Sequence, residues 1–209
     1  MNILVLYGTS EGQTRKIGAF VADRLRQQGQ QVALRNIVDQ AASINLAGFD
    51  GVILAARIHA GMYQRRVIRF AIRNNRALTA MPTAFLSVSM AAANLRPGDM
   101  QAAERYVENF VRKTGWAPNR VLQVAGARLY TRHNAIGRWI LGLVDRHLLD
   151  TDRDYEWTDW SQLERFASEF ATDVLETHRQ KTIGCRTAGS RGPYRASFEL
   201  NQRRRAAIC

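Results

Sequence analysis

Apolar residues along this chain alternate between short continuous runs and repeats at helical spacing. Runs of strand length cover residues 3–7, 31–37, 50–56, 82–89 and 120–127. Between them, apolar residues recur every three or four positions, as in Ile17, Val21 and Leu25, and a last helix starts near Thr158. Such alternation predicts βαβ units in an α/β fold, with five parallel strands in a doubly wound open sheet.

A long segment after the fifth run breaks this regularity. Residues 128–157 are too many for an ordinary connection, and the apolar side chains within them again recur at helical spacing. The segment also contains three arginines and a tryptophan, at Arg132, Arg138, Arg146 and Trp139. It predicts either a surface helix packed on the core or an amphipathic helix that lies on a membrane or covers an apolar ligand. Residues 154–157 resemble strand again, so we expect an insertion, at about 128–153, that splits the fifth strand.

The charge of the chain is concentrated towards its end. Of the formal net charge of +12, residues 177–209 carry +7 and residues 1–176 carry +5. The basic residues of that last segment are Arg179, Lys181, Arg186, Arg191, Arg195, Arg203, Arg204 and Arg205. We therefore predict one domain over residues 1–176 and a basic tail over residues 177–209, which is either disordered or a non-native extension.

Cysteine usage and hydropathy suggest the compartment. Cys185 and Cys209 both lie in the tail, so the domain has no disulfide framework and no predicted metal site. The first residues lack the basic region of a signal peptide, and no run approaches the roughly 20 apolar residues that span a bilayer. We expect a cytoplasmic protein, soluble or bound at a membrane surface.

The stretch "LYGTSEGQT" (6–14) joins the first strand to the first helix. The unpaired N–H groups at a helix N-terminus attract anions, and Thr9, Ser10 and Thr14 add hydroxyl donors. Gly8 and Gly12 would let the backbone approach a ligand closely. The loop has neither a P-loop lysine nor the GxGxxG of dinucleotide sites. The pattern favours a phosphomonoester site over an ordinary helix cap.

This loop resembles the FMN phosphate loop of flavodoxins, although Glu11 stands where flavodoxins usually have threonine. Five segments in order, "TSEGQTRKI", "ARIHAGMYQ", "MPTAFLSVSM", "AGARLYTR" and "YEWTDW", are similar to the quinone-linked protoporphyrinogen IX dehydrogenases. The resemblance covers residues 1–176 and includes the insertion. It implies a flavodoxin-like five-stranded parallel sheet of order 2-1-3-4-5 and FMN as the cofactor, with the Glu11 side chain turned to solvent.

The resemblance also assigns residues to the flavin site. The phosphate would be held by Thr9, Ser10, Glu11, Gly12, Gln13 and Thr14. One wall of the ring pocket would be Arg57, His59, Ala60 and Gly61, and the other would be Ser87, Val88 and Ser89. Asp152 would meet the ribityl chain or the ring edge. His59 is open to two interpretations, a catalytic residue or an ordinary loop histidine, and no catalytic acid or base is singled out.

The implied reaction is oxidation of protoporphyrinogen IX, with the electrons passing to a membrane quinone. Arg132, Arg138, Trp139 and Arg146 would then meet propionates, lipid headgroups or the bilayer, so the expected partners include the inner membrane surface but no nucleic acid. Homo-oligomerisation is left open. Three alternatives remain: a flavodoxin-type electron carrier, an NAD(P)H:quinone reductase, and a binding module with a vestigial flavin site. A carrier is disfavoured by the basic domain, because such carriers are generally acidic.

Overall fold

A computed structural model describes residues 1–9, 12–40, 44–128 and 155–182 of the 209-residue chain. The strands are β1 (Asn2–Gly8), β2 (Gln31–Asn36), β3 (Gly51–His59), β4 (Met62–Tyr63), β5 (Thr83–Ser89), β6 (Arg120–Ala125), β7 (Ala127–Arg128) and β8 (Tyr155–Glu156). The helices are α1 (Gly12–Gln27), α2 (Ile37–Gln40), α3 (Arg65–Arg73), α4 (Asn75–Thr79), α5 (Asp99–Thr114) and α6 (Trp160–Thr182), with a short 3-10 turn at Ala91–Ala93. All five predicted strands, the predicted helix at 17–25 and the last helix, predicted near Thr158, are confirmed.

The main sheet has the order β2-β1-β3-β5-β6, and all four of these pairings are parallel. Without the short β4, which pairs antiparallel with β3, this is the predicted order 2-1-3-4-5. The chain winds in one direction from β1 to β2 and in the other from β3 onward. The winding therefore reverses between β1 and β3, where open α/β sheets place their ligands.

Helices cover both faces of the sheet and bury two apolar clusters. On one face, α1 and α6 pack side chains such as Ile17 and Phe170 against β1 and β3. On the other face, α3 and α5 contribute Phe70 and Phe110, which pack with Trp116. Residues 51–56 and the whole of β5 are buried, which confirms that the central strands are covered on both sides.

The predicted insertion is flanked by strand on both sides. The two flanking pieces, β7 and β8, pair with each other antiparallel as a separate two-stranded sheet. The Trp157 N–H donates to the carbonyl of Gly126 at 3.4 Å and closes this stem. The return piece is therefore strand, as predicted, but it pairs with β7 instead of extending the parallel sheet. Residues 129–154, which include Arg132, Arg138, Trp139, Arg146 and Asp152, lie outside the described part of the chain.

The last helix is longer than the apolar pattern indicated. It continues to Thr182, so the boundary predicted at Thr177 falls inside α6. Up to residue 180, Val174 is the last buried residue of the helix, and residues 178–180 are exposed. Because residues 178–180 face solvent, they lack the apolar repeat from which the boundary was predicted. Within the described residues, no helix is both long enough and apolar enough to cross a bilayer.

Candidate functional site

The site lies where the carboxyl ends of β1, β3, β5 and β6 meet at one edge of the sheet. Thr9 follows β1, His59 ends β3 and Ser89 ends β5. Parallel strands place these ends side by side, so residues far apart in sequence share one crevice. The N-terminus of α1 opens at the same edge. The structure thus brings the described members of the predicted phosphate loop and both predicted ring walls to one edge of the sheet.

The predicted phosphate loop presents buried hydroxyl residues at the positive end of a helix. Thr9 is 3% exposed and Thr14 is 2% exposed. The first turn of α1 contains no acidic residue, and the helix begins at Gly12. The Asn36 side-chain amide donates to the Thr9 carbonyl at 3.4 Å and holds the loop against β2. The N–H groups of a helix N-terminus and the hydroxyls of Thr9 and Thr14 are a donor set that fits an anionic phosphate. Ser10 and Glu11 lie outside the described residues.

Glycine is needed at position 8 for a packing reason that the sequence did not reveal. The sequence analysis assigned it to close approach by a ligand, but a Cβ at this position would collide with Cγ2 of Val67 on α3. The missing side chain therefore lets α3 pack onto the end of β1. Gly8 belongs to the support of the site.

Gln13 connects the phosphate loop to the base of the insertion. Its side-chain amide donates to the Thr158 hydroxyl at 2.9 Å and to the Glu156 carboxylate at 3.1 Å. Thr158 in turn donates to the Ala125 carbonyl at the end of β6, at 2.9 Å. The Lys16 ammonium lies 4.0 Å from the other Glu156 oxygen. The sequence analysis missed Glu156 and Thr158 as members of this region, because they reach it only through the antiparallel stem.

Gln13 also offers an acceptor to a bound molecule. Its side-chain oxygen is buried and has no hydrogen-bond partner among the described residues. A buried polar atom without a partner costs stability, and such atoms are rare in folded proteins. An acceptor at the phosphate loop suits a hydroxyl-bearing ligand such as the ribityl chain of a flavin. This atom and the two buried threonines are the features of the structure that fit FMN.

The first ring wall is a tight hairpin between β3 and β4. Ala60 has φ 47° and Gly61 has φ 75°, so both residues of the turn are left-handed, as two-residue hairpins of the I′ type require. Both are exposed, and a Cβ on Gly61 would meet nothing within 4 Å. The turn is therefore small and open towards solvent, which leaves room for a flat ring beside it.

Arg57 and His59 lie on one side of this hairpin. An Arg57 Nη2 atom lies 3.3 Å from Nδ1 of the exposed His59. Guanidinium nitrogens can only donate, so Nδ1 must accept and the ring proton of neutral His59 sits on Nε2. The wall thus carries a fixed cation and an imidazole whose tautomer the cation selects.

The second wall uses its hydroxyls to hold its own shape. Ser87 is fully buried, and its hydroxyl lies 2.7 Å from the hydroxyl of Tyr63 on β4. Ser89 is 4% exposed and accepts from the Ala92 N–H at 3.1 Å, which folds the turn that follows. Val88 packs into the core on the α1 face. Tyr63 was missed by the sequence analysis, and its role is to fasten the hairpin wall to β5.

Comparison with known proteins places these features in context. Residues 4–155 match the family model described as "Flavodoxin domain". The chain is 30% identical over 174 residues to Protoporphyrinogen IX dehydrogenase (quinone) of Escherichia coli (strain K12), covering 82% of this chain and 95% of that protein. It is 31% identical to the Leishmania major protein of the same name, over 80% of this chain and 74% of that one. A flavodoxin variant from Pseudomonas aeruginosa shares the fold, with a TM-score of 0.52 and 11% identity over 84% of this chain and 99% of that one.

Proposed function

The chain belongs to the protoporphyrinogen IX dehydrogenase family of flavodoxin-domain oxidoreductases, and from this premise we propose that it uses FMN to oxidise protoporphyrinogen IX with a membrane quinone as acceptor. One observation carries the proposal. The similarity to the Escherichia coli relative extends over 174 residues and 95% of that protein, far beyond the phosphate loop.

The proposed FMN site is built on α1 and the two walls. Thr9, Thr14 and the N-terminus of α1 would hold the phosphate, and the Gln13 oxygen would accept from a ribityl hydroxyl. When bound, FMN would supply the redox chemistry, accepting hydride equivalents from the porphyrinogen and releasing electrons to the quinone. Ser10, Glu11 and Asp152 remain proposed members of the site.

The side chains of the hairpin wall would tune this chemistry. Arg57 brings a permanent positive charge to the ring side, which favours electron acceptance by a group bound beside it. Since Arg57 occupies Nδ1 of His59, Nε2 is the ring atom able to hold or pass a proton at this edge. The Tyr63–Ser87 hydrogen bond keeps the wall at a fixed distance from β5.

The insertion is proposed to serve the large substrate and the membrane. Arg132, Arg138 and Arg146 would attract propionates or anionic headgroups, while Trp139 would face lipid or the porphyrinogen. Residues 1–176 would form the FMN domain, with peripheral attachment to the cytoplasmic membrane.

The proposal is tested by an anaerobic visible spectrum of the FMN-loaded full chain during addition of protoporphyrinogen IX. We expect the flavin band to bleach, porphyrin fluorescence to rise, and menaquinone to restore the band. A flavin that binds but stays oxidised would identify an electron carrier. Bleaching by NAD(P)H instead would identify an NAD(P)H:quinone reductase, and failure to take up FMN would identify a vestigial site.

A matched pair of variants tests the phosphate site separately. Thr14→Val removes one buried hydroxyl at α1, and FMN affinity should fall about tenfold, as for loss of a hydrogen bond to a charged group. Thr114→Val removes another buried hydroxyl, which donates to the Phe110 carbonyl at the end of α5, and FMN affinity should not change. Equal losses in both variants would contradict the assignment of Thr14.

A further inference from the structure

One section of the folded domain carries nearly all of its basic character. Residues 51–98 contain seven arginines and no aspartate, glutamate or lysine. This section therefore carries +7, and the other residues of 1–176 together carry −2. The domain is basic in one section and slightly acidic elsewhere.

Most of these arginines lie on one helix. Arg65, Arg69 and Arg73 recur every four residues along α3 and are all exposed. The opposite side of the helix, with Val67 and Phe70, is buried against the sheet. The charged stripe therefore points away from the core. Arg76, in the next helical turn, is also exposed.

This stripe is unfavourable in the isolated protein. Among the residues that the structure describes, Arg65, Arg69, Arg73 and Arg76 form no ion pair. Like charges four residues apart repel each other along a helix. Arg65 also stands in the first turn, where the helix dipole is positive, and the residue before it, Gln64, makes no side-chain cap. An anionic surface would offset both the repulsion between these arginines and the unfavourable position of Arg65 at the positive end of the helix.

An apolar side chain accompanies the arginines. Ile72 is 49% exposed and lies seven residues after Arg65, on the same stripe of α3. Water gives this side chain no favourable environment, whereas the boundary between headgroups and acyl chains accepts both apolar groups and arginines.

We propose that this arginine face, formed by Arg65, Arg69, Arg73 and Ile72 of α3, docks the protein on an anionic lipid bilayer. A nucleic acid would form ionic contacts with the arginines but would give the exposed Ile72 side chain no apolar environment. The hairpin that forms the first ring wall leads directly into α3, so docking there brings the rim of the site to the bilayer. The inference rests on the proposed function only because the proposed quinone acceptor is held in a bilayer. Binding of the protein to vesicles can be measured without any oxidation of substrate.

The experiment measures binding of the FMN-loaded full chain to vesicles by sedimentation. The vesicles contain phosphatidylcholine alone or phosphatidylcholine with phosphatidylglycerol. For R65Q/R69Q/R73Q, binding to the anionic vesicles should weaken by about fivefold for each arginine, on the order of 100-fold in total. The control R105Q/R112Q/K113Q removes the same charge from exposed positions of α5 and should bind like the unmodified chain.

A second measurement reports the orientation of the docked protein. In a C185S/C209S background, Ile72→Cys is labelled with the fluorophore NBD and compared with Leu175→Cys, a 38% exposed site on α6. We expect the label at position 72 alone to brighten and shift to the blue with anionic vesicles. The visible spectrum of each variant shows whether FMN is retained, so loss of docking is distinguishable from loss of the flavin site.

Three results would overturn the proposal. If the α3 and α5 variants both bind anionic vesicles as tightly as the unmodified chain, lipid binding belongs to the tail or the insertion. A response at position 175 without one at position 72 would place the membrane against the opposite face. Tight binding of duplex DNA that depends on the α3 arginines, without a label response on vesicles, would identify a nucleic-acid surface.

Discussion

Helices α3 and α6 lie on opposite faces of the sheet, and they bury similar side chains but expose different charges. Each buries a phenylalanine, Phe70 on α3 and Phe170 on α6. On α6, Glu169 and Asp173 bind Arg120 on the neighbouring strand, and these contacts raise the pKa of that guanidinium, the Asp173 hydrogen bond most of all. The arginines of α3 have no such counterparts among the described residues.

The beginnings of the two helices differ in the same sense. Asp159 caps α6 by accepting from the Gln162 N–H at 2.9 Å, and this hydrogen bond lowers the pKa of the carboxyl. On α3 the position before the helix is Gln64 without a side-chain cap, followed by Arg65 and Arg66. Thus Asp159, Glu169 and Asp173 have partners within the protein, whereas the exposed arginines of α3 have no acidic partner among the described residues. Both helices therefore bury an apolar side, and they differ in how their exposed charges are paired.

The similarity of the buried sides predicts equal and large losses. Phe170→Ala and Phe70→Ala should each lower the free energy of unfolding by about 3–5 kcal/mol, because both rings are almost fully buried. Denaturant unfolding of both variants measures this. A variant that loses less than about 1 kcal/mol would show that its helix is not part of the core.

The packing of α3 on β1 can be disrupted by a substitution in the strand. Gly8→Ala should cost about 1–3 kcal/mol, since the new methyl group meets Val67. In the background of Val67→Ala the same change should cost clearly less. A double-mutant cycle gives the coupling energy, and additive losses would mean that Val67 does not explain Gly8.

The ion pairs beneath α6 predict a smaller effect. Arg120→Gln removes the bonds to Glu169 and Asp173 and should cost about 1 kcal/mol, as expected for a partly exposed network. Arg112→Gln on α5, whose guanidinium contacts only the neutral Asn109 side chain among the described residues, is the matched control and should change little. Equal denaturant midpoints for the two variants would show that the ion pairs of Arg120 do not stabilise the protein.

On α3 a charge reversal should stabilise the protein. Arg69→Glu would place an acid four residues from both Arg65 and Arg73, and the free energy of unfolding should rise by about 0.5 kcal/mol at low salt. The gain should fade in high salt, where exposed charges are screened. Binding to anionic vesicles should fall at the same time. A loss of stability would show that the arginine stripe is not under repulsion.

The cap of α6 predicts a pH dependence of stability. Because the pKa of Asp159 is lowered in the folded state, its contribution is complete above the unfolded pKa and is lost as the pH falls through the folded pKa. Asp159→Ala should therefore be less stable than the unmodified chain at pH 7. The difference should shrink below about pH 4. A difference in Tm that stays constant down to pH 2 would contradict the role of the carboxylate.

Much of the fold was predictable because apolar periodicity is a local property. The buried run that became β3 predicted a covered strand, and Ile17, Val21 and Leu25 predicted α1. The end of α6 was not predictable, since its last turns are exposed and carry no apolar repeat. The phosphate loop was predicted from its hydroxyls and glycines. The link from Gln13 to Glu156 was not, because it joins residues 143 positions apart.

The sequence by itself determined the order of strands and helices and the type of sheet, and it predicted a phosphate-binding loop between β1 and α1. These follow from side chains a few positions apart, whose spacing fixes which face of an element is apolar. Only the tertiary structure decided that Gly8 makes room for Val67, that Ser87 binds Tyr63, and that the arginines of α3 form one stripe without acidic neighbours among the described residues. Such relations depend on packing between elements far apart in sequence, and no local pattern encodes them.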